Sequence, residues 1–209
     1  MKGFGAEGEL RKKKLKKNTS QNYNLINLAI NLHSQGKTKE ASKYYRYCIK
    51  KGFDDPKVFS NYGIILQSEG KLIEAEVFTR KAIKLNPNFA DAYSNLGNIL
   101  KSQGKLKEAE ISYRNAIKIN PNFINAHFNL GNTFKSQGKL KEAEISYRRV
   151  TELKPNYAAA HFNLGDVLKD IGKWEEAEIS YRNAIKLNSE IAEAHLNLGN
   201  ILQSLGKWK

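Results

Sequence analysis

An asparagine recurs at one fixed interval along this sequence of 209 residues. The interval is 34 residues, and the positions are Asn27, Asn61, Asn95, Asn129, Asn163 and Asn197. A carboxamide donates and accepts hydrogen bonds at once, so it can pair with a peptide group whatever side chain that peptide carries. This first asparagine row therefore predicts a binding site for polypeptide backbone. Hydrogen bonding between neighbouring repeats of the protein is the structural alternative.

A second row lies three residues after the first, with Asn98 and Asn132 as its amides and Asp166 in place of an asparagine. On a helix that turns Leu96 and Leu100 to the core, Asn98 is expected to point almost directly away from the core. We predict that Asn98 and Asn132 contact a partner together with the first row. Because Asp166 breaks the pattern, uniform contact along the second row is not expected.

Two further rows are predicted to extend the same surface. Lys101, Lys135 and Lys169 favour an acidic partner, with a solvated row of lysines as the alternative. Phe128 and Phe162 stand where earlier repeats have serine, and they offer an apolar shelf in the middle of the array.

The residues that usually carry catalysis are not arranged for it. No serine, cysteine or carboxylate pair lies in a recognisable catalytic constellation, so the chain is predicted not to be an enzyme and to need no cofactor. His127, His161 and His195 are also 34 residues apart, in an inward slot. We interpret them as packing residues rather than metal ligands, because ligands must converge on one ion. No metal site is therefore predicted.

The charge and hydropathy of the chain limit which partners and which cellular location are expected. Lys and Arg number 35 against 21 Asp and Glu, a formal net charge of +14, and residues 1–21 are predicted to be a basic, disordered leader. That leader lacks interleaved aromatic residues for base stacking, so nucleic acid is not expected as a partner. No apolar run is long enough to span a membrane, and no secretory signal is recognisable, which predicts a cytoplasmic protein.

The elements that must position these rows recur with the same period. Repeats are predicted at 22–55, 56–89, 90–123, 124–157 and 158–191, with a partial sixth at 192–209, together forming an array at 22–209. Apolar residues at helical spacing mark two amphipathic helices in each repeat, separated by a turn such as Gly104-Lys105. One helix pair cannot bury its own apolar face, so neighbouring repeats must stack.

The third repeat shows the full pattern of spaced residues. They are Tyr93, Leu96, Gly97, Leu100, Ala109, Tyr113, Ala116 and Pro121. This set resembles the tetratricopeptide repeat. The resemblance implies an all-α fold, a right-handed α-solenoid of stacked helix-turn-helix units, with a concave groove lined by the first helix of each repeat.

The first asparagine row is similar to the asparagine ladder in the repeat region of O-linked N-acetylglucosamine transferases, which holds the backbone of an extended substrate peptide. The resemblance therefore implies a protein-protein interaction scaffold that binds an extended peptide or partner protein in its concave groove. The alternative is the substrate-recognition region of a transferase whose catalytic domain is absent or encoded separately. The partial repeat motivates this alternative, and it also suggests end-to-end contact with another chain through uncapped apolar residues.

Overall fold

The computed structural model describes residues 22–207, and the predicted leader at 1–21 lies outside them. These described residues form helices joined by short turns, with no strand among them. The helices are α1 at 22–34, α2 Thr38–Lys50, α3 Pro56–Ser68, α4 Leu72–Leu85, α5 Ala90–Ser102, α6 Leu106–Ile119, α7 Ile124–Ser136, α8 Leu140–Leu153, α9 Ala158–Asp170, α10 Trp174–Leu187 and α11 Ala192–Ser204. None of these helices has both the length and the hydropathy needed to cross a bilayer.

The chain divides into an N-terminal body, described over residues 22–95, and a C-terminal body, described over residues 96–207. Within the N-terminal body, α2 packs on α3 and α3 packs on α4. Within the C-terminal body, each helix from α6 to α11 packs on the next, and α9 also contacts α11. The predicted all-α class and the stacking of helix-turn-helix units into a solenoid are confirmed within each body.

The turns between the helices of a repeat depend on glycine. Gly104 adopts a φ of 76°, in the left-handed region where a side chain is strained. Its amide donates to the carbonyl of Lys101, and the next amide, of Lys105, donates to the carbonyl of Leu100. These two bonds satisfy carbonyls at the end of α5 that have no partner within the helix. The chain can therefore reverse within three residues and start α6 at Leu106.

A glycine on the first helix and a tyrosine on the second helix join the two helices of a repeat. A Cβ atom at Gly97 would lie 2.5 Å from Cε1 of Tyr113, so the ring occupies the space that a side chain would fill. Tyr113 is fully buried. Gly131 and Tyr147 repeat this contact, as do Gly165 and Tyr181. The close approach fixes the tyrosine hydroxyl relative to the first helix.

The N-terminal body is packed differently. Thr79 takes the tyrosine slot beside Gly63, and its buried hydroxyl makes no hydrogen bond within residues 22–207. Phenylalanines supply the missing aromatic volume: the rings of Phe59 and Phe78 stack at 6.2 Å, and Tyr62 meets Phe78 edge-on at 5.1 Å. The second repeat therefore lacks the tyrosine that recurs in the C-terminal body, whereas the first repeat keeps it as the buried Tyr45.

Candidate functional site

The two asparagine rows meet through hydrogen bonds in the C-terminal body. Nδ2 of Asn129 donates to Oδ1 of Asn98 over 3.0 Å. The hydroxyl of Tyr113 donates to the same oxygen over 2.7 Å. One amide oxygen therefore serves the tyrosine of its own repeat and the asparagine of the next repeat.

The next repeat has the same arrangement. Oδ1 of Asn132 accepts hydrogen bonds from the hydroxyl of Tyr147 over 2.7 Å and from Nδ2 of Asn163 over 3.2 Å. Burial raises the pKa of Tyr147 far above its ordinary value, so its hydroxyl stays protonated and remains a donor. The structural role that the sequence left as an alternative, bonding between repeats, is thus present in the molecule.

Asp166 preserves this arrangement although it is not an asparagine. Its Oδ1 accepts from Tyr181 over 2.9 Å and from Nδ2 of Asn197 over 3.1 Å. The slot needs only an acceptor, and a carboxylate oxygen supplies one. The second oxygen, Oδ2, lies 2.7 Å from Nζ of Lys135. Lys135 is therefore neutralised within the protein, unlike Lys101 and Lys169, which make no salt bridge among residues 22–207.

The expectation that Asn98 points almost directly away from the core is wrong. Its side chain turns toward the buried Tyr113 and is only partly exposed. Because Gly97 has no side chain, the tyrosine ring crosses the first helix and brings its hydroxyl beside Asn98. A helical wheel of α5 cannot show a partner that arrives from another helix.

The first-row asparagines of the C-terminal body keep hydrogen-bonding groups in reserve. Asn129, Asn163 and Asn197 are partly exposed, and each uses one N–H to hold the preceding repeat. Within residues 22–207, the Oδ1 atoms of all three accept no hydrogen bond, and a second N–H remains on each Nδ2. Each carboxamide is therefore fixed in place while one donor and one acceptor remain available.

The same slot behaves differently in the N-terminal body. Nδ2 of Asn95 donates to the hydroxyl of the buried Ser60 over 3.0 Å, because Ile64 holds the slot of Asn98 and has no acceptor. Asn61 lies beside Tyr45, where burial raises the tyrosine pKa to about 12 and the Asn61 amide opposes that rise. The amide, hydroxyl and acceptor network is thus confined, among the described repeats, to the C-terminal body.

The predicted apolar shelf lies against the same tyrosines. The ring of Phe128 is 5.9 Å from that of Tyr147 and 5.1 Å from that of Tyr157. Phe162 lies 6.1 Å from Tyr181. Both phenylalanines are half-buried, so each presents part of its ring next to a first-row asparagine one position along the helix.

Family comparisons agree with this architecture. The model of the TPR repeat matches residues 97–138, 131–172 and 165–206, and two tetratricopeptide repeat models match residues 78–111 and 56–89. The chain belongs to the tetratricopeptide repeat family. A search of curated protein sequences finds no match to this TPR chain.

Solved TPR structures share its fold. The chain matches PilF of Pseudomonas aeruginosa with a TM-score of 0.81 at 18% identity, covering 90% of this chain and 86% of that one. It matches YrrB, a TPR protein with an unusual peptide-binding site, with a TM-score of 0.69 at 23% identity, covering 88% and 95%. MamA from Desulfovibrio magneticus RS-1 gives 0.70 at 20% identity, covering 82% and 97%. At these identities the likeness shows the fold alone.

A second set of bonds joins the TPR units along their second helices. Glu110 accepts from Nε of Arg114 over 3.1 Å and from Nζ of Lys139, in the next repeat, over 2.8 Å. The contact between Glu110 and Arg114 follows from their separation of four residues on one helix. The contact between Glu110 and Lys139, which belongs to the next repeat, does not follow from the helical spacing. The equivalent contacts are Glu144 with Arg148 and Lys173, and Glu178 with Arg182 and Lys207.

These contacts lower the pKa of the three glutamates. Partial burial favours the neutral acid of Glu110 and Glu144, but the hydrogen bonds from lysine and arginine outweigh it and hold each pKa below its ordinary value. For Glu178 the bonds from Lys207 and Arg182 are the main cause of the lowered pKa. A lowered pKa in the folded state stabilises the fold above the unfolded-state pKa of about 4.3, and this stabilisation is lost as the pH falls through the folded-state pKa.

Replacing Glu110, Glu144 and Glu178 together with glutamine is expected to lower the free energy of unfolding at pH 7 by roughly 3 kcal/mol, because six ion pairs are removed and each contributes about 0.5 kcal/mol. At a pH below the lowered folded-state pKa of these glutamates the two proteins should differ little, since the native glutamates are then protonated. Urea unfolding at both pH values measures this difference. Glu190→Gln, at an exposed turn, is the control, and an equal loss of stability at both pH values would contradict the explanation.

The histidines at 127, 161 and 195 each form a hydrogen bond with a backbone carbonyl of the preceding turn. Nε2 of His127 donates to the carbonyl of Pro121 over 2.9 Å, and His161 and His195 make the same contact with Pro155 and Ser189. Each histidine thus fastens the start of a first helix to the turn before it. Residues 22–207 contain no cluster of histidine, cysteine and carboxylate side chains suited to a metal ion.

Proposed function

We propose that this TPR chain is a non-catalytic interaction scaffold that binds an extended peptide through Asn129, Asn163 and Asn197. We call the surface formed by α7, α9 and α11 around these residues the first-helix face. One observation carries the proposal: each asparagine is fixed to the preceding repeat by one N–H and keeps a donor and an acceptor available. One donor and one acceptor are the groups needed to form hydrogen bonds with a peptide group.

The spacing of the repeats fits an extended chain. Neighbouring helices pack about 8–10 Å apart, and an extended peptide rises about 3.3 Å per residue. One asparagine therefore meets the peptide about every third residue. Contacts to the backbone at this interval hold the peptide without specifying its side chains, so we infer recognition that tolerates many sequences.

Neighbouring residues supply the remaining contacts in this proposal. The exposed parts of Phe128 and Phe162 offer apolar contact between successive asparagines. Lys101 and Lys169 offer positive charge, whereas Lys135 is paired with Asp166. We infer that an acidic residue of the partner is favoured only near Lys101 or Lys169, not along the whole face.

Asn98 and Asn132 act as positioning residues in this proposal. Their oxygens are already shared between a tyrosine and a first-row asparagine. They hold Asn129 and Asn163 in one orientation, which lowers the conformational entropy lost on binding. In the N-terminal body, Asn61 and Asn95 have no such acceptor row, so we assign the main contribution to the C-terminal body.

The triple variant Asn129→Ala, Asn163→Ala, Asn197→Ala is expected to bind a peptide about thirtyfold more weakly, a loss of about 2 kcal/mol, because several peptide hydrogen bonds are removed. The probe is a fluorescent twelve-residue peptide selected against the wild-type protein from a random library. Fluorescence anisotropy measures the affinity of this peptide in buffer without urea. The temperature is one at which circular dichroism shows that both proteins are folded.

The matched control replaces two exposed asparagines outside the first-helix face, Asn156 and Asn183, with alanine. This control variant should bind within twofold of wild type. If the triple variant is folded and also binds within twofold, the asparagines serve only to join repeats and the proposal fails.

A further inference from the structure

A groove on the second-helix side of the N-terminal body has a different character from the asparagine row. It lies between α2 and α4 over α3 and encloses about 580 Å³. Ile49, Tyr62 and Phe78 form its apolar floor, and Lys43, Arg46 and Lys50 stand on its rim with Tyr47. We call it the cationic groove. Its rim cations are exposed and make no salt bridge among residues 22–207.

The uncompensated charge has a visible origin in the sequence. In the next second helix, α4, Glu76 lies four residues before Arg80 and bonds to it over 2.9 Å. The slot of Glu76 is occupied in α2 by Ser42, so Arg46 has no carboxylate four residues before it on its own helix. The turn lysine that would meet this carboxylate, Lys71, bonds instead to Glu69 over 2.7 Å.

The same groove two repeats later is electrically balanced. In the C-terminal body a groove of about 530 Å³ is lined by Arg114, Leu130 and Phe134, at the positions matching Arg46, Tyr62 and Leu66. Its lining holds three cations, Arg114, Lys118 and Arg149, of which Glu110 pairs with Arg114 and Glu152 with Arg149, and Glu142 adds a third carboxylate on the wall. The shape of the groove therefore recurs, whereas an excess of positive charge is found in the first repeat.

We propose that the cationic groove is a second docking site, and that it binds an acidic segment of a partner protein. The apolar floor takes an aromatic or aliphatic side chain of that segment, and the rim takes carboxylates on either side of it. Opposite charges across an interface favour association and select the partner. This site is independent of the asparagine row, because it lies on different helices and recognises side chains rather than backbone.

The surroundings favour a peptide over other anions. A nucleic acid needs a continuous cationic track, but α4 places Glu74 and Glu76 directly after the groove. The floor is recessed, since Tyr62 is only 9% exposed, so the flat surface of a bilayer meets the rim but not the floor. A single side chain flanked by carboxylates reaches both.

The probe is a fluorescent twelve-residue peptide with one phenylalanine and one leucine among glutamates, titrated into the full chain at two salt concentrations. Its affinity should fall at least tenfold in Arg46→Gln/Lys50→Gln. It should fall similarly in Ser42→Glu, which restores the helical partner of Arg46 and is not expected to destabilise α2. Arg114→Gln, in the balanced groove, is the matched control and should bind within twofold of wild type. The triple asparagine variant should also bind this peptide normally.

Two comparison peptides test the chemistry of the groove. One has glutamine in place of every glutamate, and the other has serine in place of phenylalanine and leucine; both should bind at least tenfold more weakly. Equal binding of either peptide would overturn the proposal, and so would equal binding of the acidic peptide to Arg46→Gln/Lys50→Gln. Tighter, groove-dependent binding of a thymidine oligonucleotide or of phosphatidylserine vesicles would also overturn it, in favour of that anion.

Discussion

Replacement of Tyr147 by alanine is expected to lower the free energy of unfolding by about 3–5 kcal/mol, because it removes a fully buried aromatic ring. The ring lies against Gly131, where a Cβ atom would be 2.8 Å from Cε1 of Tyr147, so no neighbouring side chain can fill the space from that helix. The hydroxyl bond to Asn132 is lost as well. Urea unfolding, followed by circular dichroism, measures the effect.

Tyr147→Phe separates the ring from its hydroxyl. The ring remains packed, and the oxygen of Asn132 still accepts from Asn163, so we expect a loss of about 1 kcal/mol. A cost below about 1.5 kcal/mol for the alanine variant would show that the repeat closes over the cavity, against the tight packing described above.

Gly97→Ala is expected to lower the free energy of unfolding by about 2–3 kcal/mol, even though alanine is the better helix former. The new Cβ atom would stand 2.5 Å from the ring of Tyr113, so the ring must move. Ala29 occupies the glycine slot of the first repeat, but Ile30 takes the slot of Asn98 there, so that repeat offers Tyr45 no second-row acceptor and does not show the effect of the methyl group.

A double-mutant cycle tests this displacement. If Gly97→Ala already breaks the bond from Tyr113 to Asn98, adding Tyr113→Phe should cost little more, and the two effects should fall short of additivity by about 1 kcal/mol. Urea midpoints of the two single variants and the double variant supply the comparison. Additivity within about 0.3 kcal/mol would mean that the hydroxyl keeps its partner despite the new methyl group.

The sequence is sufficient to predict the fold because each repeat supplies the same small set of constraints. Period-34 glycines mark the turns, and apolar residues at helical spacing mark the faces that stack. The pair of Glu110 with Arg114 was also predictable, since both residues lie on one helix at a fixed separation. These features depend on local geometry, which a single sequence contains.

Contacts between helices were harder to predict, because their partners depend on how the helices pack. The orientation of Asn98 was predicted from its own helix, whereas Tyr113 on the next helix decides it. A signal was present: tyrosines recur 15 residues after each member of the second row, and a buried hydroxyl needs a partner. The link from Lys139 to Glu110 likewise spans two repeats, and nothing within one helix indicates it.

The cationic groove depends on a position where one repeat differs from the others, and not on a residue that all repeats share. Ser42 is visible in the sequence as the one second-helix slot, among the aligned repeats, where the glutamate is missing. Its consequence for Arg46 appears only when the groove and its apolar floor are known. Periodicity therefore identifies the fold, and exceptions to it identify places where the surface differs.

The most direct test of the central proposal is two-dimensional NMR of the side-chain amide groups of Asn129, Asn163 and Asn197, assigned from single alanine variants, during titration with the selected peptide. The proposal predicts that all three amide signals shift with the affinity measured by anisotropy, while those of Asn156 and Asn183 stay in place. If the peptide binds at that affinity and the three signals do not move, the asparagines of the first-helix face do not contact it.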